Sequence, residues 1–598
     1  MLSVLTEKPV RIERLFETTQ RNKQAIWAVK LYKNGETVEV VMDDYIPCLD
    51  GAPCFSKANG NELWVIILEK AWAKLHGSYE RIEAGFAHEV MRDLTGGPSY
   101  DMEVDEEGLF DKLLAYDKKD YMMAASAGST EASAEALEEL GLVAQHSYGL
   151  LAARTIKDGN GEEVELVRLR NPWGAFEWKG DWGDTSDCWT PALKKEVGLD
   201  ENADDGAFWM SFKDFSYYFS RVQVCKDNDG YNYSCLKGGH KTGSFALMRL
   251  ILEDDGEACI SVAQKDARCF LRGTDYEYSY CRVIVMKIDT EKTDVDEDGD
   301  NLEVDYMAGG AGDDRETHLE FPNLQKGEYY VYVELDWHAN TTETAFCVTC
   351  YGAAESTFTR DEKALYTKEM VLQNAFRSKA FQELPGVTKT TMADKGAPLV
   401  KKYKCFGDES YGFIIIQNDE PAAQYKEKVN FTSFKGLEFV APESGSAYEV
   451  LVPPKGNKTI VIKCDPEGYA MATSSSSSVI LGDGALEAQC LADGKKAPRP
   501  DPDTGEQMAI DQYSLRHGGG MAYLYVNKTT EHTLEEELEF VLAGLEIEGK
   551  PGETTVELKV GPGQTKLLKL VATAPTQKVS CGVSYAIIKP GDESSGGD

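Results

Sequence analysis

At 598 residues the chain is too long for a single core and must be divided into several domains. Its 101 acidic and 63 basic side chains leave a net charge of −38, which excludes nucleic acid as a partner and admits membrane contact only through bridging calcium. No run of about 18 apolar residues is present to span a bilayer. Met1-Leu-Ser-Val-Leu-Thr-Glu-Lys-Pro9 lacks the basic start and apolar stretch of a secretory signal, so an intracellular, cytoplasmic protein is expected. The 14 cysteines are scattered. Their closest pair, Cys347-Val-Thr-Cys350, has no histidines at ligand spacing and reads as buried thiols, not as a zinc site.

In chain order, Ile26–Tyr32 and Thr37–Met42 read as strands of a hairpin turning at Lys33-Asn-Gly35. Trp64, Ile67, Leu68, Ala71, Trp72 and Leu75 form one apolar helix face, capped at Asn61 and ended near Gly77. After a break at Leu94-Thr-Gly-Gly97, Ser147–Arg154 and Glu163–Arg170 read as strands joined by Asp158-Gly-Asn-Gly161. From Gly243 the pattern is all-β: Phe245–Leu252, Ala258–Ala263, Arg282–Ile288 and Tyr329–Leu335, the last alternating like a half-buried strand. The last part repeats at an offset of about 108 residues, as from Val452-Pro-Pro to Val560-Gly-Pro. Tyr411–Asn418 is echoed by Met521–Asn527, and Phe434–Phe439 by Ala543–Ile547. The serine run Ser474–Ser478 reads as a loop, Ala492–Gly505 as a proline-rich linker and Gly591–Asp598 as a disordered tail.

Gly141-Leu-Val-Ala-Gln-His146 places a histidine at a strand start, and Leu166-Val-Arg-Leu-Arg-Asn-Pro-Trp-Gly174 places Asn171 at the next strand's end. Adjacent strands lie about 5 Å apart, close enough for the two side chains to meet. An asparagine oxygen can then fix the imidazole tautomer and leave the other nitrogen to take a proton from a thiol. Trp173 would cover the pair.

These segments, with Glu62–Tyr79, Asp93–Gly97, Glu177-Trp178 and Phe208–Phe212, resemble the calpain family of cysteine peptidases in order and interval through residue 228. The acidic, repeat-bearing tail looks most like the calpain-like proteins of kinetoplastid protists. The resemblance implies an α+β, papain-like protease core, incomplete at its N-terminus, followed by all-β sandwich domains. It divides the chain into a cysteine-bearing half (1–95), a His/Asn half (96–228), a calpain-type sandwich (236–380), two sandwich repeats (381–490 and 506–590) and the tail (591–598). It makes His146 the general base, Asn171 its orienter and Trp173 the cover.

In that family the nucleophile opens a helix in a Gly-Asp-Cys-Trp motif. Met1–Phe16 looks like that helix entered late, so the cysteine is expected a few residues before Met1 and the chain as written to be inactive. Asp187-Cys188-Trp189 copies the triplet but follows Asn171, with no helix behind it to acidify the thiol; Cys48 and Cys54 fare no better. The expected function is a calpain-like cysteine endopeptidase. The alternative is a catalytically inactive scaffold or interaction protein. Protein substrates or cytoskeletal partners are implied either way.

Calcium is the one cofactor the resemblance implies. The matching acidic positions are Glu177, Asp184 and Asp205, with Ala207 where the family has a further glutamate. Asp294, Asp296 and Asp298, followed by Gly299, resemble the first half of a calcium loop without its helices.

Overall fold

The computed structural model describes residues 2–58, 60, 62–128, 134–199, 205–293, 302–339, 344–360, 366–393, 397–440, 445–574 and 576–589. Asn61, Asp294, Asp296, Asp298 and the tail fall outside these residues. The chain divides into two units, Met1–Leu365 and Tyr366–Asp598.

The first unit opens with two short helices, Leu2–Leu5 and Pro9–Glu13, where the sequence suggested one. Proline has no N–H to continue a helix and pushes the residue before it to extended geometry. Lys8 is accordingly extended (φ −135°, ψ 101°), and Pro9 starts the second helix. Strands Ile26–Lys33 and Glu36–Asp43 pair through a two-residue turn, Asn34 (φ 53°) and Gly35 (φ 79°). Left-handed geometry at both turn residues matches the strand twist. Trp27, Val29 and Leu31 of this hairpin share a core with Ile67, Leu68 and Ala71 of helix Trp64–His76 and with Met91 and Leu94 of helix Ala87–Thr95.

The next segment is a six-stranded antiparallel sheet. Its order is Ser99–Glu103, Phe219–Cys225, Met122–Ala127, His146–Lys157, Glu163–Arg170, Ala207–Ser211. The strand Glu163–Arg170 is covered on both faces. Val167 and Leu169 enter the main core, whereas Leu166 enters a second cluster with Trp182, Trp189 and Trp209. Burial on both sides explains its unbroken apolar run.

A four-stranded and a five-stranded antiparallel sheet then enclose one core that includes Ile260, Val283, Val331 and Val348. Tyr329–Leu335 is buried throughout, not half-buried as its alternation suggested. It is a central strand, and its second face is filled by Tyr330 and by Tyr332, whose hydroxyl donates to buried Glu334 at 2.6 Å.

The second unit contains the same arrangement twice. Each copy has a leading helix (Lys368–Phe381; Asp483–Asp493), a five-stranded sheet and a three-stranded sheet. In the first copy the five-stranded order is Thr388–Met392, Ala397–Phe406, Tyr411–Asn418, Asn457–Cys464, Leu437–Phe439. In the second it is Lys495–Pro498, Ile510–His517, Gly520–Asn527, Thr565–Ala572, Leu545–Ile547. Two sequence expectations are corrected here. The serine run belongs to strand Ala470–Leu481, which pairs with Ala423–Lys435 along its whole length. Ladder hydrogen bonds hold it at a sheet edge, where small polar side chains remain solvated. The supposed linker contains the end of helix Asp483–Asp493 and strand Lys495–Pro498.

Candidate active site

The loop before His146 is held tightly. Val143 N–H donates to the Tyr148 hydroxyl at 2.8 Å, and Gln145 takes the left-handed conformation (φ 51°), turning the chain into the strand that His146 begins. Such strain at a non-glycine residue persists only where its surroundings enforce it. Gly141, also left-handed (φ 81°), abuts the Asn171-bearing segment; a Cβ there would stand 1.9 Å from the Glu177 carbonyl oxygen.

Asn171 follows strand Glu163–Arg170 and is fully buried. Its backbone N–H donates to Gly206 O at 2.8 Å. Its Nδ2 donates to Ala175 O at 2.6 Å, and its Oδ1 accepts from Trp173 N–H at 3.1 Å. These two bonds fix the amide orientation, so the contact from Oδ1 to His146 Nε2, 3.1 Å, requires the proton on Nε2. Nδ1 is then the basic nitrogen, and it makes no hydrogen bond among the described residues. The Trp173 ring lies 4.5 Å from the imidazole at 42° and is 62% exposed on its other side. Burial lowers the His146 pKa below its ordinary value, partly offset by the Asn171 bond, so the ring is neutral near pH 7.

Asn171 and Trp173 face a cleft of roughly 1040 Å³. Trp64 and Trp72 also line it, as does Arg268 of the two-sheet domain. Sequence reasoning missed Arg268, since nothing local links it to Glu89, to which it donates at 3.0 Å. The opening helix lies beside this region: Thr6 lines the cleft and Glu7 pairs with Arg170 at 3.4 Å.

No cysteine lines the cleft among the described residues. Cys188 packs against the Trp182, Trp189 and Leu193 cluster. Contrary to expectation a helix, Pro191–Val197, does follow it. The helix is capped by Thr190, whose side chain accepts from Leu193 N–H at 3.2 Å, so the thiol does not occupy its N-terminus. Cys48 and Cys54 are exposed, in and beside a short hairpin.

Glu177, Asp184 and Asp205 gather behind the Asn171 loop. Glu177 Oε1 accepts from Gly206 N–H and Asp205 Oδ1 from Ala207 N–H, both at 2.9 Å. Among the described residues Asp184 Oδ1 is buried without a hydrogen-bond partner. Burial, with the charges of Glu177 and Asp205, raises the Asp184 pKa to about 6. A buried carboxylate oxygen without a hydrogen bond, beside two other carboxylates, is a donor set suited to a hard divalent cation. The described residues hold one tighter trio, His76, Asp93 and Asp266, with ligand atoms within 4.8 Å of one another. Its centre is taken by Lys33, whose Nζ lies 2.7 Å from His76 Nε2 and 2.9 Å from Asp93 and also bonds Asp266. It is an ion-pair cluster.

Residues 1–226 match the family described as "Calpain family cysteine protease". A calpain-type cysteine protease of Oryza sativa subsp. japonica is 38% identical over 237 residues, covering 38% of this chain and 11% of that protein. Calpain-8 of Rattus norvegicus is 39% identical over 216 residues, covering 35% and 30%. The calpain-2 catalytic subunit of Homo sapiens is 35% identical over 229 residues, covering 38% and 33%. The chain thus spans a third or less of the length of these relatives. The match to the calpain family of cysteine proteases is carried by residues 1–226, the segment that holds His146, Asn171 and all of the cleft lining except Arg268.

Proposed function

We propose that the first 228 residues are the body of a calpain-type cysteine endopeptidase with a papain-like division of labour. The nucleophilic thiol would be supplied from sequence upstream of Met1, on the helix entering the cleft. The observation that carries the reading is the Asn171–His146 bond beneath Trp173, which leaves a neutral imidazole with Nδ1 unoccupied. In this mechanism Nδ1 takes the thiol proton as sulfur attacks the peptide carbonyl carbon. It returns that proton to the leaving amine when the tetrahedral intermediate collapses. The Nε2–H bond to Asn171 holds the ring in register while it is charged, and Trp173 excludes water from that bond. Glu177, Asp184 and Asp205 would hold a calcium ion, which supplies positive charge against the mutual repulsion of the three carboxylates that Arg168 and Lys194 only partly offset. The chain would act inside the cell on protein substrates or cytoskeletal partners. The second reading is an inactive scaffold working through the repeats of the second unit; it is favoured by the lack of a cysteine in the cleft lining among the described residues.

The test is to map the native N-terminus by intact mass and then assay the native-length protein on casein with calcium. Cleavage is expected, falling about 10²- to 10⁴-fold in His146→Ala and less in Asn171→Ala. A native chain that carries an upstream cysteine yet leaves casein intact would reject the peptidase reading in favour of the scaffold.

A further inference from the structure

The three-stranded sheets of the two copies in the second unit are built alike and charged differently. In the first copy Ala423–Lys435 is the central strand, flanked by Ala447–Val452 and Ala470–Leu481. In the second Thr533–Ala543 is central, flanked by Thr555–Val560 and Lys578–Ile588. Their registers match: Tyr425 lies opposite Val452 and Leu534 opposite Val560, all four buried. Alternation along each central strand then turns the next residue outward, and every second one after it. Lys426, Lys428 and Asn430 stand on the outer face of the first copy, and Glu535, Glu537 and Glu539 hold the same three places in the second. The two faces do not pack on each other within the chain, since Lys426, Lys428, Glu537 and Glu539 are exposed.

The flanking strands extend the contrast. Lys428 lies opposite Glu449 and Lys426 opposite Leu451, and Lys426 also pairs with Glu449 at 2.7 Å. In the second copy Glu535 lies opposite Lys559 and pairs with it at 2.7 Å, but Glu537 lies opposite Glu557. Like charges directly opposite on a sheet destabilise it. Among the described residues no cation pairs with Glu537, Glu539 or Glu557. On the other side the neighbours are small: Ser478, Ser476 and Ser474 beside the lysine row, Ala586, Ser584 and Gly582 beside the glutamate row. No long side chain shields either row from that edge.

We propose that these faces form a docking surface between two copies of this chain, the lysine face of one seating on the glutamate face of the next. Sheets ordinarily stack with their strands within about 30° of alignment. Turning one sheet over about the axis that crosses its strands keeps the strand order and reverses the strand direction. With Lys428 then over Glu535, Lys426 falls over Glu537 and Glu449 over Lys559. One register thus opposes unlike charges at all three places and gives Glu537 the cation that its own sheet denies it. Each chain offers one face of each kind, so the contact is heterologous and propagates head to tail. Three strands by about six residues make a patch of roughly 300 Å², small beside the about 800 Å² per partner of a stable interface. A single contact is therefore weak, and assembly needs a high concentration of chain. The net charge of −38 does not forbid it at about 0.15 M salt, where a Debye length of about 8 Å screens all but the facing rows.

Sedimentation velocity of the full chain, over a series reaching high micromolar concentration at about 0.15 M salt, tests this. The weight-average sedimentation coefficient should climb with concentration and return to the monomer value at about 1 M salt, where the Debye length is about 3 Å. K426E/K428E and E535K/E537K should each stay monomeric. Mixed in equal amounts they should associate again, because the lysine face of the second variant meets the glutamate face of the first. Both variants keep a large negative charge, so bulk attraction does not account for that recovery, and recovery shows that both are folded. A chain that stays monomeric throughout, association that persists in either variant alone, or variants that ignore each other when mixed would overturn the proposal. A monomer that instead binds oligolysine, and loses it in E535K/E537K, would give the glutamate face to a foreign basic partner and overturn self-docking.

Discussion

Asp184 and Asn171 are both buried polar side chains of the first unit, and they differ in how they are satisfied. Asn171 spends its amide on three contacts, and each has a geometric consequence for His146. Asp184 is 8% exposed, its Oδ1 has no hydrogen-bond partner among the described residues, and neighbouring Glu177 and Asp205 oppose its charge more than Arg168 and Lys194 favour it. An unpaired buried carboxylate is costly unless a cation joins it. Calcium at millimolar concentration should therefore raise the melting temperature, the gain growing as RT ln(1 + [Ca]/Kd), about 2.7 kcal/mol at 100 Kd. Asp184→Asn should stabilise the calcium-free protein and remove most of that shift. Thermal unfolding in calcium and in chelator measures both, and an undiminished shift in Asp184→Asn would place the ion elsewhere. Sequence made Glu177, Asp184 and Asp205 candidates through the family resemblance. It could not show that Asp184 lacks a partner, because that depends on how the loops after Asn171 fold back together.

Among elements, the two copies in the second unit share a buried asparagine at the end of the same strand. Asn418 Nδ2 donates to Ala423 O at 2.7 Å and Val452 O at 3.1 Å, and Glu420 N–H donates to its Oδ1 at 3.1 Å. Asn527 Nδ2 donates to His532 O at 2.8 Å and Val560 O at 2.9 Å, and Thr529 N–H donates to its Oδ1 at 3.0 Å. In each copy one amide ties a strand end to the two segments that cross it. Asn418→Ala or Asn527→Ala strands buried carbonyls and should each cost about 1–3 kcal/mol. Urea unfolding followed by far-UV circular dichroism should show the loss, with the tryptophan transition unmoved because all nine tryptophans precede residue 366. A loss in neither variant would mean that these asparagines do not lock the copies. The echo of Tyr411–Asn418 in Met521–Asn527 was legible because both strands need the same apolar run and the same terminal amide. Helix Trp64–His76 and the Asn34–Gly35 hairpin were legible because their periodicity and turn residues are local. The serine strand was not, since its hydrogen bonds come from a neighbour that propensity does not see. The Lys33 cluster was not either, its partners lying 60 and 233 residues away.

Across the whole molecule, acid should act on the two units unequally. Burial, aided by Lys33, holds the His76 pKa at about 4, and burial alone dominates in holding His318 at about 4. Burial also lowers His88 and His146, all four lying in the first unit, whereas His517 is the lowered histidine of the second. A histidine kept neutral in the folded state binds a proton only on unfolding once pH falls below its unfolded value, near 6.5. Stability is therefore lost as pH drops from about 6.5 toward 4, at most about 3 kcal/mol for each of His76 and His318. Asp184 opposes this, since its raised pKa makes protonation favour the folded state as pH falls through about 6. Glu89, whose pKa burial also raises, acts in the same direction, so two carboxylates stand against four histidines. The carboxylates Glu316, buried, and Glu320, exposed, are held low chiefly by Arg92 and Lys226 against the pull of desolvation and keep their contribution until pH falls below their ordinary range. The window between 6.5 and 4 therefore belongs to the histidines. Tryptophan fluorescence reads the first unit alone, so its red shift on acidification should come at higher pH than the loss of β signal from the second unit. His318→Gln should flatten the tryptophan transition within that window. Coincident transitions, or a tryptophan signal flat to pH 4, would show that the buried histidines do not set the acid stability of the first unit.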